Sequence, residues 1–411
     1  MEIPDGTGNP RTILARLEAL QANDVRWRQG RAFSLAYYAS AEASELAETA
    51  YRMFGGDNAL NTDAFPSLKS MQADIIRFVQ GLVKAPAASA GFFTSGGTES
   101  LIMAVYGAKQ RALRSGRPAG NVVLPTSAHA ALEKACAYFD LESRRVAVDD
   151  EWRADPVAMA SAIDDATVLV VASAPQYPQG VVDPVGPIAA AALSRDIPCH
   201  VDACMGGMVL PFLEAPHAWD FSVEGVTSVS VDLHKFGYAS KGAGVIIYRD
   251  KYLRAHQTFV TDNWLGGMYG SSGFLGTKSG GPIAAAWAMI SYFGVEGYAS
   301  LAQRARRTAL SYADLIQATS PLFLRSAPDT SLLCIGSVNE DEVPVARVAD
   351  ALWRRGWYVD RQDPPASLHM TVNVVHQGVF HDFARDLQAS VIEARSAGGS
   401  GPLGGAYGTI D

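Results

Sequence analysis

The chain has 411 residues, 48% hydrophobic and 18% charged, enough to bury one large core or two domains sharing an interface. Its 34 basic and 42 acidic side chains give a net charge of −8, which argues against a protein that coats nucleic acid and permits a local cationic pocket. The four cysteines, Cys136, Cys199, Cys204 and Cys334, form no C-x-x-C pair and sit among apolar neighbours, so they are expected to be reduced, buried thiols in a cytoplasmic protein, and no metal site is expected.

The start, MEIPDGTGNPRTILARLEAL, places charges where the apolar region of a secretory signal would lie. No apolar run approaches the ~18–20 residues of a membrane span, so a soluble chain without a transmembrane anchor is expected. Helical patterning surrounds ILARLEAL and ELAETAYRMF, and FGGDNALNTDAFPSL then breaks it with glycines and a proline. SLKSMQADIIRFVQGLV follows as an amphipathic helix with Met71, Ile75, Phe78, Val79 and Leu82 on one stripe.

From there strands and helices alternate. GFFTSGG leads into the helix TESLIMAVYGAKQRAL, and NVVLP into SAHAALEKACAYFD. RRVAV, ATVLVVAS and IPCHVDA read as short buried strands, with IAAAALSRD a helix between the last two. Such alternation predicts an α/β fold with a mostly parallel sheet, whose sites collect at the carboxyl ends of the strands. SVSVD and AGVIIY are strands flanking a polar hairpin that carries His234, Lys235 and Lys241. After about Leu301 the pattern changes to a smaller α+β unit: strands SLLCIGSV and SLHMTVNVV, helices VARVADALWRRG and HDFARDLQASVIEAR, and the glycine-rich tail SAGGSGPLGGAYGTID.

Four short stretches carry chemistry. TSGGTES, between a strand and a helix, reads either as an anion cradle at a helix N-terminus or as a plain capped turn. Asp202, ending IPCHVDA, is either a turn residue or a carboxylate that keeps a heteroaromatic nitrogen protonated. His129 opens a helix, as a cap, a surface residue or a flat stacking partner. Lys235 is a solvent-facing hairpin lysine, or an amine that forms a Schiff base if its surroundings lower its pKa. Together they suit one object, a phosphorylated pyridine aldehyde.

NTDAFPSLKSMQADI, TSGGTESLIMAV, HAALEKACAYF, SAPQYPQGVVDP, HVDACMGG, DLHKFGYASKG, WLGGMYGSSGFLGTKSGG, RGWYVDRQDPPASLHMTV and the terminal GAYG, in this order from about Asn61 to the C-terminus, resemble the group II pyridoxal-phosphate-dependent decarboxylase family, and YASKG and GAYG its sphingosine-1-phosphate lyase branch. The resemblance implies a fold-type I, aspartate-aminotransferase-like enzyme with pyridoxal 5'-phosphate as cofactor. It implies an N-terminal helical segment (1–65) contributing to a dimer, a large cofactor-binding domain (66–305) and a small C-terminal α+β domain (306–411). Lys235 becomes the lysine that bonds the cofactor's aldehyde, Asp202 the partner of the ring nitrogen, and His129 the stacking ring. Gly96, Gly97, Thr98 and His234 hold the phosphate. Lys241 and Tyr407 match residues that act on the substrate, and Lys235, Lys241, His129 and Tyr407 are the candidate proton carriers.

The implied reaction is retro-aldol cleavage of the Cα–Cβ bond of sphingosine 1-phosphate, or a related phosphorylated sphingoid base, to a long-chain aldehyde and phosphoethanolamine. The implied partners are this small amphiphilic substrate and a second copy, in a homodimer with shared sites to which Asn61, Phe65 and GFLGTKSGG contribute across the interface. The chain departs from the branch at Ser272, Gly273, Leu275 and Lys278, where a different wall is usual, and at Gln176 in place of an asparagine. The altered wall leaves L-amino-acid decarboxylation as an alternative, which Lys241 and Tyr407 disfavour. Lys235, Asp202 and His129, all intact, argue against a non-catalytic scaffold.

Overall fold

The computed structural model describes residues 6–396. Helices α1 (Pro10–Leu20), α2 (Ala41–Phe54) and α3 (Pro66–Leu82) come first. The side chains of Asn9 and Ser40 cap the first two by accepting from backbone N–H groups, and Pro66 opens the third, where its missing N–H costs nothing. On α3, Leu68, Met71, Ile75, Val79 and Leu82 are buried at three- and four-residue spacing. Phe78 lies half-buried beside this stripe, tilted against Tyr298.

Strands and helices then alternate through β1 (Ala90–Thr94), α4 (Gly97–Arg114), β2 (Asn121–Pro125), α5 (Ala130–Tyr138), β3 (Glu142–Val146), α6 (Pro156–Ser161) and β4 (Thr167–Ser173). α7 (Val185–Leu193), β5 (Cys199–Asp202), β6 (Val226–Asp232) and β7 (Gly244–Tyr248) complete the series. These strands form one sheet in the order β1-β7-β6-β5-β4-β2-β3, with β7 antiparallel to both its neighbours and the other pairs parallel. Every residue of β2, β4, β5 and β7 is buried, as expected of strands covered on both faces. β1, β2, β4, β5 and β6 therefore all end on the same side of the sheet, and the residues after those ends are brought together.

Past α8 (Lys251–Ala255), β8 (Phe259–Thr261) and β9 (Tyr269–Ser271) form a separate ribbon. The long α9 (Gly281–Gln317) breaks at Gly294, whose φ of 55° suits a residue without Cβ. Met289 before the break and Tyr298 after it enter the core under the large sheet, and the last turns send Tyr312 and Ile316 into a second core. That core packs against an antiparallel sheet in the order β10-β11-β13-β12, made of β10 (Leu322–Leu324), β11 (Leu332–Ser337), β12 (Asp360–Gln362) and β13 (Ser367–Thr371). Helices α10 (Val345–Arg354) and α11 (Phe380–Ser396) cover it. Phe33, far away in sequence, is fully buried in this second core, 4.2 Å from the His376 ring in a stacked pair. Among the described residues no helix is long and apolar enough to cross a membrane.

Candidate active site

β1 hands the chain to α4 through Ser95-Gly96-Gly97. Gly96 has φ 137°, a conformation L side chains rarely adopt, and a Cβ there would lie 2.6 Å from Cε1 of His234. A Cβ on Gly97 would meet Cys204 Sγ at 2.8 Å and Asp232 Oδ2 at 2.9 Å. The turn thus presses backbone against the ends of β5 and β6 and brings the first amide groups of α4, from Gly97 on, to the same place, as an anion requires. Glu99, buried in the first turn of α4, accepts from Ser95 N at 2.6 Å and from Phe274 N at 2.7 Å. One carboxylate so ties the glycine turn to the segment after β9.

Lys235 follows the end of β6 and is 18% exposed, so it is no surface lysine. Its Nζ lies 2.9 Å from Oδ2 of Asp232, which is 1% exposed and whose Oδ1 has no hydrogen-bond partner among the described residues. Burial alone would push the Lys235 ammonium down, but Asp232 together with Cys204, Tyr37 and Asp202 outweighs it and holds the amine well above its usual value. The expected lowering of its pKa is therefore reversed in sign. The cause is a carboxylate three residues back that the sequence reading passed over as a strand end. His234 accepts from Ala243 N through Nδ1 at 3.2 Å, so in the neutral ring Nε2 carries the hydrogen; burial pushes this imidazole down. Nε2 stands 3.8 Å from Asp232 Oδ2, too far for a good hydrogen bond.

Asp202 ends β5. Burial would raise its carboxyl, but the charges of His129 and Lys235 and the hydrogen bond from the backbone N–H of Cys204 hold it below the usual range. His129 caps α5 by accepting from Ala131 N at 3.0 Å through Nδ1, and burial pushes its imidazole down against the pull of Asp202. Both face one cavity of about 360 Å³ with Gly96, Gly97, Thr98, His234, Lys235 and Lys241, so every described residue of the expected site is brought together. Tyr407 lies outside the described residues. The sequence reading missed Asp232, Cys204, Met205 and Tyr177, which line the same cavity.

Lys241 reaches the rim, where its Nζ donates to His234 O at 3.2 Å and lies 5.0 Å from the Tyr37 ring centroid. Part of its side chain is open to solvent, yet the protein packed around it and the charge of Lys235 push it down to about 8. Gln176 plays no part in the cavity lining; it is buried in its own turn, donating to Gln179 Oε1 and accepting from Gln179 N. The segment with Ser272, Leu275 and Lys278 lines a different cavity on the far side of Glu99. There burial pushes the Lys278 ammonium down, and its Nζ sits 4.5 Å from the Phe92 ring centroid.

This donor set fits pyridoxal 5'-phosphate. A glycine turn that leaves no room for a Cβ could take its phosphate, a buried carboxylate held below the usual range its ring nitrogen, an imidazole its ring face, and a buried amine its aldehyde. The orphaned Oδ1 of Asp232 marks a polar demand beside that amine.

The family model described as "pyridoxal-dependent decarboxylase conserved domain" matches residues 20–336. The chain is 36% identical to sphingosine-1-phosphate lyase 1 of Rattus norvegicus, over 97% of this chain and 72% of that protein. The structure of the sphingosine-1-phosphate lyase of Burkholderia pseudomallei superposes with a TM-score of 0.90 at 33% identity, covering 96% of this chain and 93% of that one. Glutamate decarboxylase of Lactobacillus brevis superposes with a TM-score of 0.86 at 21% identity over 97% and 96% of the two chains, a likeness of fold.

Proposed function

The chain belongs to the pyridoxal-dependent decarboxylase family and, within it, to the sphingosine-1-phosphate lyases, and from that premise we propose that it cleaves the Cα–Cβ bond of sphingosine 1-phosphate, or a related phosphorylated sphingoid base, to a long-chain aldehyde and phosphoethanolamine. The observation that carries this reading is Lys235 on Asp232 at the floor of a cavity shared with Asp202, His129 and the glycine turn, in a chain with this kinship.

Gly96, Gly97, Thr98 and His234 are assigned to the cofactor phosphate, Asp202 to the ring nitrogen, His129 to the ring face and Lys235 to the aldehyde carbon. When bound, pyridoxal phosphate supplies the electron sink for the pair left on Cα as the Cα–Cβ bond opens. Lys235 must shed a proton before its nitrogen can bond to carbon, and Asp232 Oδ2, 2.9 Å away, is placed to hold that proton within the buried site. Lys241, held near 8, is the base assigned to the C3 hydroxyl, since at neutral pH it is partly neutral and sits at the rim where substrate enters. Lys235, once released, is assigned the proton returned to Cα. Tyr407 remains a candidate over the substrate.

The site is read as part of a homodimer. α1 buries none of its residues and leaves Ile13, Leu14, Leu17 and Leu20 exposed, and beyond β8 Trp264, Leu265, Met268 and Phe274 are exposed as well. Apolar surface of this extent calls for a partner, and a second copy would bring the 273–281 segment and the Asn61–Phe65 stretch toward the neighbouring site. Four free, buried thiols suit a reducing compartment and support a cytoplasmic enzyme. The chain is read as a large unit to residue 305 and a small unit from 306, with 1–65 serving the dimer.

A substrate panel tests the function. Cofactor-loaded protein given sphingosine 1-phosphate should yield aldehyde and phosphoethanolamine, and given L-glutamate or aromatic L-amino acids it should release no carbon dioxide. Carbon dioxide from an amino acid, with no aldehyde from the sphingoid base, would replace the lyase by a decarboxylase.

A further inference from the structure

Behind Asp202, on the side away from the cavity, lies a run of buried polar groups to which no role has been assigned. β5 and β6 pair in parallel, His200 opposite Ser228 and Asp202 opposite Ser230. All four side chains are buried, His200 and Ser230 with no exposed surface. His200 Nδ1 lies 2.8 Å from Ser228 Oγ, and Nε2 lies 3.2 Å from Ser230 Oγ. Ser230 Oγ in turn lies 3.4 Å from Asp202 Oδ1 and 3.3 Å from the Sγ of Cys204.

Counting hydrogens gives this run a direction. An ionised carboxylate only accepts, so the bond between Ser230 and Asp202 uses the single hydroxyl hydrogen of Ser230. The oxygen of Ser230 is then an acceptor toward His200, whose Nε2 must carry a hydrogen. Burial pushes His200 down to about 4, so the ring is neutral and has only one N–H. Nδ1 is therefore an acceptor, and Ser228 donates to it. Cys204 S–H also donates to Ser230. Every hydrogen points toward Asp202, and aligned bonds polarise one another.

We propose that Ser228, His200 and Ser230 are positioning residues, a one-way hydrogen-bond relay that ends on Asp202 Oδ1 and holds that carboxylate ionised and oriented toward the cofactor's ring nitrogen. The reverse arrangement, with Ser230 donating to His200, would leave Asp202 with the backbone N–H of Cys204 at 3.0 Å but without this donor. The inference rests on the reading of Asp202 as the partner of the ring nitrogen.

The first test is independent of turnover. In holoenzyme labelled with ¹⁵N-histidine, two-bond proton–nitrogen correlations should show His200 with a protonated Nε2 and an unprotonated Nδ1, the signal assigned by its loss in His200→Gln. A protonated Nδ1 would overturn the relay. The second test compares Ser230→Ala, Ser230→Thr and Ser228→Ala. Losing a hydrogen bond to a charged group should make Ser230→Ala about tenfold or more weaker in cofactor affinity, read from visible absorbance, with kcat lowered and the substrate KM unchanged. Ser230→Thr should restore both, and Ser228→Ala, two bonds from the carboxylate, should move them about twofold in the same direction. Unchanged affinity and kcat in Ser230→Ala beside a defective Asp202→Asn would refute the relay alone, whereas a fully active Asp202→Asn would refute the reading of Asp202 itself.

Discussion

Lys235 shows how one neighbour reverses the sign of a local argument. A lysine at a strand end is expected to be activated by burial, yet Asp232 holds it as an ammonium. A lysine raised by its partner contributes stability throughout the pH range below its ordinary value and loses it only as pH climbs through the raised one. The pair is therefore intact across neutral pH. Lys235→Ala would strand a buried carboxylate, at a cost of about 3–5 kcal/mol, and confound folding with chemistry. Lys235→Arg keeps a cation for Asp232. It should fold, yet show neither the visible absorbance of bound cofactor nor turnover; a coloured, active Lys235→Arg protein would remove Lys235 from the site. Lys241 is separable in the same way. Lys241→Ala should retain cofactor and lose about 10²–10⁴-fold in kcat, the range for a positioned base. Because its pKa is pushed down to about 8, the neutral, proton-accepting form grows as pH rises through that value, and kcat/KM should rise with it. A profile that falls through pH 8 would mean that Lys241 acts as a cation on the substrate phosphate instead.

The elements determine how closely these residues approach. The turn between β1 and α4 works because Gly96 adopts φ 137° and lies against the His234 ring. Gly96→Ala should cost about 1–3 kcal/mol of local strain and displace that ring. Cofactor affinity should fall by more than tenfold while far-ultraviolet circular dichroism stays native; unchanged affinity would show that the turn does not hold the phosphate. The turn, β5 with Asp202, α5 with His129 and the hairpin with Lys235 were all legible in the sequence, because buried parallel strands read as continuous apolar runs and each candidate side chain sits just past the point where such a run stops. Asp232 was not legible as a site residue, since an aspartate closing a strand looks the same whether it caps a turn or clamps a lysine. The strands Phe259–Thr261, Leu322–Leu324 and Asp360–Gln362 were also missed, being only three residues long, too short for alternation to register. Nothing local to Phe33 announces that it completes a core built some 280 to 360 residues later, beside Tyr312, Trp357 and Phe383.

At the scale of the whole molecule, the described residues assigned to the cofactor line one cavity of a single chain, while Glu99 ties that cavity to the segment after β9, which lines another. The proposed dimer, in which each copy walls the other's site, is tested on this segment. Sedimentation should give a dimer, and Leu265→Asp together with Met268→Asp, at exposed apolar positions beyond β8, should shift it toward monomer with loss of turnover. A monomeric double variant that keeps full activity would show that each site is self-sufficient. The fold is shared with decarboxylases, so architecture alone leaves open which bond to Cα is broken. Mass spectrometry of the products formed by cofactor-loaded protein from sphingosine 1-phosphate in deuterium oxide addresses that directly. Equal amounts of long-chain aldehyde and phosphoethanolamine, the latter with one carbon-bound deuterium beside its nitrogen, are predicted; intact substrate, or substrate exchanged at Cα without any aldehyde, would contradict Cα–Cβ cleavage.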